Sequence, residues 1–198
     1  MVGRRFAWVC GVTLALGMGA TSAAHAQVRS QELRASEDPG EFYSAAMQKG
    51  DTYVLIGEQS LEDQKASVAV SGDGGATWEV HKTMATGRLV SGYMFDEKNG
   101  LVVGEAGTAL TTDDGGASWE IRTTKVLTDL QGAFLLTPDK GWAVGANSTI
   151  VTTSNGGRSW QVLQGGQPSG EVGEGEIMLM GVHFFDEKNG LVAGAGTE

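Results

Sequence analysis

The stretch TTDDGGASWE at residues 111–120 places Asp113 and Asp114 beside two glycines and Trp119. Adjacent carboxylates can bind a cation through their oxygens, or they can act as general acid and base. The same residues can also form a tight turn, because Asp accepts backbone hydrogen bonds in turns and Gly adopts positive φ at little cost. A metal loop, a catalytic acid site and a turn are therefore the three readings to separate.

The stretch occurs three times, which separates them. The tryptophans are Trp78, Trp119 and Trp160, so both steps are 41 residues. A fixed period of this length is typical of repeat architectures. The shared pattern is S/T-x-D/N-x-G-x-S/T-W, and its members are Ser71, Asp73, Gly75, Thr77 and Trp78, then Thr112, Asp114, Gly116, Ser118 and Trp119, then Thr153, Asn155, Gly157, Ser159 and Trp160.

Repetition favours a structural role for these residues. A catalytic centre needs one special carboxylate, not one in every repeat, and Asn155 in the third copy cannot act as a general base. A calcium site needs six to eight oxygens, whereas each copy offers at most two nearby carboxylates and no suitably spaced Glu. We therefore predict no catalytic residue, no metal site and no cofactor here, and expect the Asp to brace a turn while the Trp packs in the core.

A second motif follows the same period. DEKNGLVVGEAGT at 96–108 becomes PDKGWAVGANST at 138–149 and DEKNGLVAGAGT at 186–197. Gly104 precedes Gly145 by 41 residues, and Gly145 precedes Gly194 by 49, so eight residues are inserted within GGQPSGEVGEGE at 165–176. Insertions in repeat proteins map to loops on one face, often the binding face. Glu171, Glu174 and Glu176 of this loop are our candidates for contact with a partner.

One 41-residue unit predicts four short strands. Residues 91–95 and 108–112 are β-prone, 101–104 is a continuous apolar run expected to be buried on both faces, and 118–122 alternates with Trp119 and Ile121 on one face. Four strands in about 40–45 residues make one propeller blade. We predict an all-β fold, a β-propeller of four-stranded antiparallel blades with about four blades present. A weaker copy begins at residue 50, and the sequence stops inside a repeat, so an incomplete propeller and a fragment are expected.

The N-terminal residues predict export. Arg4 and Arg5, an apolar run at 6–19 and the A-x-A site at 24–26 form a signal peptide at 1–26, with ordinary secretion favoured over twin-arginine export. Residues 27–42 are polar and predict a linker or edge segment, and 43–198 hold three full repeats and a truncated fourth. Cys10 lies in the signal, so the mature chain needs no disulfide. We expect a periplasmic or extracellular protein.

The net charge bears on partners. The chain carries −10, and removal of Arg4 and Arg5 with the signal makes the mature charge −12. An acidic surface repels nucleic acid and anionic lipid, so neither nucleic-acid binding nor membrane insertion is expected after cleavage. The mature arginines are spread along the sequence without a cluster.

The repeats resemble a known family. The three tryptophan stretches resemble the Asp-box, or BNR repeat, and the order seen at residues 95–119 is similar to that of the photosystem II stability/assembly factor-like propellers. The resemblance covers residues 43–198. It implies an exported propeller that binds a membrane-protein subunit during assembly, in the thylakoid lumen where the source is a phototroph.

The function expected is thus that of a non-enzymatic scaffold for a protein partner. The alternative is a sialidase-like or glycan-binding propeller, since sialidases also carry Asp-boxes. A sialidase would need an arginine triad and a paired tyrosine nucleophile, for which Tyr43, Tyr53 and Tyr93 have no defensible partner. His81 and His183 are expected to be surface or packing residues.

Overall fold

The computed structural model describes residues 43–59, 65–165 and 177–196. The predicted signal peptide at 1–26, the predicted linker at 27–42 and the loop with Glu171, Glu174 and Glu176 lie outside these residues. The described residues form strands and turns, with a 3-10 turn at Glu105–Gly107. Within these ranges no helix is long and apolar enough to cross a bilayer. The all-β prediction is confirmed.

The strands form three four-stranded antiparallel sheets and one two-stranded sheet, which we call blades A to D. Each follows the chain order. Blade A contains β1 (Tyr43–Lys49), β2 (Thr52–Gln59), β3 (Ala66–Ser71) and β4 (Glu79–Lys82). Blade B contains β5 (Leu89–Met94), β6 (Gly100–Gly104), β7 (Thr108–Thr112) and β8 (Glu120–Thr123). Blade C contains β9 (Leu130–Leu135), β10 (Gly141–Gly145), β11 (Thr149–Thr153) and β12 (Gln161–Gln164), and blade D contains β13 (Ile177–Phe184) and β14 (Gly190–Gly196).

The first strands of successive blades lie beside one another. Ser44 Oγ in β1 donates to the Leu89 carbonyl of β5 at 2.9 Å. A methyl group placed on Gly132 in β9 would lie 2.7 Å from the Met180 carbonyl oxygen in β13. The strands β1, β5, β9 and β13 are therefore the inner strands, and β4, β8 and β12 are the outer ones, as in an arc of a propeller.

The hydrophobic cores lie between blades. Val102 of β6 packs with Val54, Ile56 and Val68 of blade A in one core. Its neighbour Leu101 packs with Leu130 and other blade C residues in the next core. Successive residues of one strand point to opposite faces of its sheet. This is why the apolar run at 101–104 is continuous, and its predicted burial on both faces is confirmed.

The outer strands differ from the expected pattern. Each begins after the tryptophan rather than before it, so β8 starts at Glu120. Ile121, predicted to share a face with Trp119, is 47% exposed. Val80 and Val162 are exposed as well. These strands are the outermost of their blades, and the tryptophan turns rather than the strands cover the blade-to-blade cores.

Candidate functional site

The repeated acidic stretch forms a braced turn in each blade. We call residues 71–78, 112–119 and 153–160 the Asp-box turns. In blade A, Thr77 donates to Asp73 through both its backbone N–H (2.9 Å) and its hydroxyl (2.6 Å). Ser71 Oγ accepts from the Gly75 N–H at 2.8 Å and donates to Asp73 Oδ1. Asp73 thus accepts hydrogen bonds from the residue four positions later, and these bonds close the turn. Gly74 and Gly75 supply the positive φ angles of the turn.

The same geometry recurs in blades B and C. Asp114 accepts from the backbone N–H and the hydroxyl of Ser118 at 2.9 and 2.6 Å. In the third copy Asn155 Oδ1 accepts from the Ser159 N–H at 2.9 Å, and Asn155 Nδ2 donates to the Ser159 hydroxyl. An amide therefore replaces the carboxylate by reversing one side-chain hydrogen bond. A carboxylate is not required at this position, which argues against acid–base chemistry there.

The bonds to these carboxylates shift their pKa values downward. Hydrogen bonds from Thr77, first through its hydroxyl and then through its backbone N–H, lower the pKa of Asp73 from 3.8 to about 2. Partial desolvation raises the pKa of Asp114, but the hydrogen bonds from Ser118 and Thr112 outweigh it and the net shift is downward. Both groups are held as carboxylates at neutral pH. Neither can act as a proton donor there.

A second braced turn joins the first two strands of blades B and D. Asp96 Oδ1 accepts from the backbone N–H groups of Lys98 (2.8 Å) and Asn99 (2.6 Å), and the Asn99 amide donates to both carboxylate oxygens. Asp186 makes the same bonds with Lys188 and Asn189. Hydrogen bonds led by that from the Asn189 amide lower the pKa of Asp186. The repeated DEKN letters indicated this turn, but not the bracing role of its Asp.

The two kinds of turn lie on one face of the arc. In each complete blade, the N–H of the first glycine of the Asp-box turn donates to a carbonyl in the turn between the first two strands. The bonds are Gly74 to Asp51 at 2.9 Å, Gly115 to Lys98 at 3.0 Å and Gly156 to Asp139 at 2.9 Å. We call this side the Asp-box face. Its backbone is therefore held in the same position in every complete blade, and it can present different side chains on a constant frame.

The Asp-box turns of blades B and C also pack on the preceding blade. A methyl group on Gly116 would lie 2.9 Å from Val70 of blade A, and one on Gly157 would lie 2.6 Å from Thr111 of blade B. Trp160 is 2% exposed in the core between blades B and C, and Trp119 packs against the core between A and B. Trp78 is only half buried; it packs edge-on against Tyr53 and its indole N–H donates to the Gly75 carbonyl. Trp119 and Trp160 therefore pack against cores shared with the preceding blade, as predicted, whereas Trp78 has no described blade before it.

The structure brings together two arginines that the sequence separates by 36 positions. A cavity of about 150 Å³ opens on the Asp-box face between blades B and C, and Arg122 and Arg158 both line it. We call it the B–C cleft. Asp113, Glu120 and Asp139 complete its charged lining. The expectation that the mature arginines form no cluster is wrong for this pair, because Arg122 in β8 of blade B and Arg158 in the Asp-box turn of blade C line the same cleft.

The histidines lie apart from this cleft. His81 is half buried, with Nε2 3.8 Å from a Glu79 carboxylate oxygen. The His183 ring lies against Phe134 at 4.5 Å and Phe185 at 5.2 Å between centroids. Among the described residues, no group of three or more His, Cys, Asp or Glu side chains could hold a metal ion.

The comparisons with known proteins agree with this architecture. Residues 89–164, which are blades B and C, match the family model described as photosynthesis system II assembly factor YCF48. A solved structure described as YCF48 bound to D1 peptide is 21% identical, with a TM-score of 0.54, over 72% of this chain and 48% of that one. The GH74 enzyme of Niastella koreensis is 14% identical, with a TM-score of 0.53, over 72% of this chain and 24% of that one. No curated protein sequence matches the chain.

Fold and turns together define a BNR-type β-propeller. Within that class, the repeats at residues 89–164 are similar to those of the photosystem II assembly factor YCF48 model. The chain spans about half the length of the YCF48 structure and about a quarter of the GH74 enzyme. Because the two structures share 21% and 14% identity with the chain, their likeness shows the fold rather than the activity.

Proposed function

We propose that this protein is an exported, non-enzymatic propeller scaffold that binds a protein partner, and that the partner is a membrane protein during its assembly. The observation that carries the proposal is the commitment of the repeated acidic residues to turns. The carboxylate oxygens of Asp73 and Asp114 accept the hydrogen bonds that close the Asp-box turns. What varies on this frame is a set of exposed side chains, which suits recognition by surface complementarity.

The family supports the choice of a protein partner. The family model names a photosystem II assembly factor, and one similar structure is described as bound to a D1 peptide. The predicted signal peptide supports export. A partner met outside the cytoplasm during membrane-protein assembly is consistent with both.

The test is capture of the partner. A C-terminally tagged chain is expressed in the source organism, crosslinked, and purified from solubilised membranes, and the crosslinked proteins are identified by mass spectrometry. We expect one membrane protein to be enriched over a tag-only control and to bind again when both proteins are purified. If no protein rebinds in purified form, the scaffold proposal fails. N-terminal sequencing of the same sample tests export, because the mature chain should begin at Gln27.

The alternative is a sialidase-like or glycan-binding propeller. The GH74 enzyme, which is similar in fold, is the reason to test it. Glycoside hydrolysis needs two carboxyl groups flanking the bond, one of them held protonated. Among the described residues, the pKa values of Asp73, Asp96, Asp114 and Asp186 are all lowered, so none of these four is held protonated. Binding to a glycan array together with release of reducing sugar from polysaccharides would support the alternative instead.

A further inference from the structure

The B–C cleft departs from the repeat at its two arginines. Arg158 stands where the other Asp-box turns have Ala76 and Ala117. Arg122 lies three residues after its tryptophan, where blades A and C have His81 and Leu163. The turns need neither arginine, because the copies without them close with the same hydrogen bonds. Two arginines that the turns do not require line one cavity, and this points to a ligand.

The guanidinium of Arg122 is held in position before any ligand arrives. Its Nε donates to Thr111 Oγ1 at 2.9 Å, and its Nη2 is paired with the Glu120 carboxylate. Its side chain is 22% exposed. Arginine presents five N–H donors in a planar fork, so these two contacts leave further donors for the cleft. Arg158 is exposed, and its side chain has no ion pair with the described residues.

The size of the cleft limits what it can take. Ligand pockets for small molecules usually have volumes of about 300–1,000 Å³, whereas the B–C cleft holds about 150 Å³. It is large enough for one side chain of a partner protein. Two guanidinium groups favour a carboxylate, which arginine binds through paired hydrogen bonds. Asp113, Glu120 and Asp139 line the same cleft as the two arginines and disfavour a second acid close to the first.

We propose that the B–C cleft binds a single Asp or Glu side chain of the partner protein, held between Arg122 and Arg158. The inference rests on the proposed function, since it places one contact of that partner. The acidic surface of the mature chain repels acidic segments in general. An isolated acidic residue in a neutral or basic segment is therefore the ligand that the cleft selects.

The test uses side-chain NMR of the full mature chain labelled with ¹⁵N. The probe is the capped peptide Ac-Gly-Gly-Glu-Gly-Gly-NH₂ at millimolar concentrations, and its matched control has Gln in place of Glu. We expect saturable shifts of the Arg122 and Arg158 Nε–H signals with the Glu peptide only. Arg122→Leu with Arg158→Ala restores residues that other blades carry, so this variant keeps the fold. It should weaken binding at least about tenfold.

A second double variant controls for charge. Lys49→Ala with Lys188→Ala removes two positive charges outside the cleft lining, and it should leave the affinity within about twofold because surface charges away from the cleft are screened. Equal binding of the Glu and Gln peptides, no shift with either, or unchanged binding by the arginine variant would each overturn the inference. The partner-capture experiment is read independently, so loss of the cleft contact and loss of the scaffold function are told apart.

Discussion

The Asp-box carboxylates act on the backbone of their own turns. The two adjacent acids of blade B, Asp113 and Asp114, show that this role depends on the position of the residue and not on its acidic type alone. Both side chains are exposed, but Asp114 accepts two hydrogen bonds from Ser118, while Asp113, one residue earlier, lines the B–C cleft. The stretch that looks most like a catalytic pair therefore contains one bracing residue and one surface residue.

This difference predicts unequal effects of substitution. Asp114→Ala should lower the free energy of unfolding by about 1 kcal/mol, because the Ser118 N–H loses its acceptor. Asp114→Asn should change it by less than about 0.5 kcal/mol, since Asn155 closes the same turn in blade C. Urea denaturation of the purified variants measures both. Asp113→Ala is the matched control, and a loss equal to that of Asp114→Ala would contradict the bracing role.

The pKa shifts predict how stability depends on pH. The pKa of Asp73 falls from 3.8 to about 2 on folding. A carboxyl group whose pKa is lowered on folding stabilises the folded state when the pH is above its pKa in the unfolded chain. That contribution is lost as the pH falls toward its pKa in the folded protein. Stability should therefore fall between about pH 4 and about pH 2. Asp73→Asn with Asp114→Asn should flatten this part of the curve, measured by thermal unfolding across the range; an unchanged slope would show that these groups do not contribute.

At the scale of elements, glycines let successive chain segments approach closely. A methyl group on Gly145, at the end of β10, would overlap the carbonyl oxygen of Asp129 in the segment leading to β9. Gly104 meets Arg88 in the same way. The V-G motif is thus a packing requirement at the inner strand pair, which accounts for its recurrence without any functional role.

Substitution at these glycines should follow the available space. Gly145→Ala should destabilise the protein by about 1–3 kcal/mol, because the backbone must move to admit a methyl group. Gly181→Ala in β13 is the control, since no atom lies within 4 Å of its added methyl group. Chemical denaturation of the two variants gives the comparison. Equal midpoints would contradict the predicted overlap.

Aromatic stacking attaches blade D to blade C. Trp142 of β10 and Phe184 of β13 stack with 3.6 Å between centroids and 3° between planes. Trp142 is 2% exposed, and Lys140 Nζ lies 5.0 Å from its ring centroid. The tryptophan of the G-W-A-V-G motif therefore belongs to the blade interface.

Removing one ring should loosen this interface. Phe184→Ala should cost about 1–3 kcal/mol and should raise hydrogen exchange in β13 and β14 above that in blades A to C. Phe185→Ala, at a neighbouring residue that is 64% exposed, should cost less than about 0.5 kcal/mol. Exchange followed by mass spectrometry localises the effect. A uniform rise over all blades would argue against a local docking role.

At the scale of the whole molecule, charge and shape bear on partners. The Asp-box face presents a constant backbone frame, and the B–C cleft is where the described side chains depart from the repeat. The net charge of −12 expected for the mature chain surrounds that cleft with negative potential. Recognition then depends on local contacts rather than on long-range attraction to acidic partners.

The same charge predicts that nucleic acid is not a partner. Duplex DNA repels a protein of this charge, and low salt leaves the repulsion unscreened. We expect no mobility shift of a duplex DNA probe at low ionic strength with micromolar protein. A basic control protein of similar size confirms that the assay detects binding. A salt-sensitive shift with the mature chain would contradict the prediction.

The sequence by itself determined the repeat, the turns and the strands. The 41-residue spacing and the Asp-box letters are local signals, because the Asp, its hydrogen-bond donors and the two glycines lie within eight residues of one another. The continuous apolar run at 101–104 likewise indicates a strand that is covered on both faces. For the same reason the four-stranded unit could be predicted before any fold was known.

Only the tertiary structure decided which residues meet across blades. Arg122 and Arg158 lie on different blades, and nothing in their spacing indicates that one cleft joins them; their departure from the repeat was the available signal. The exposure of Ile121 and the unequal burial of Trp78, Trp119 and Trp160 also depend on neighbouring blades. Repeats specify a blade through contacts close in sequence, whereas a site between blades depends on contacts about 41 residues apart, which packing alone brings together.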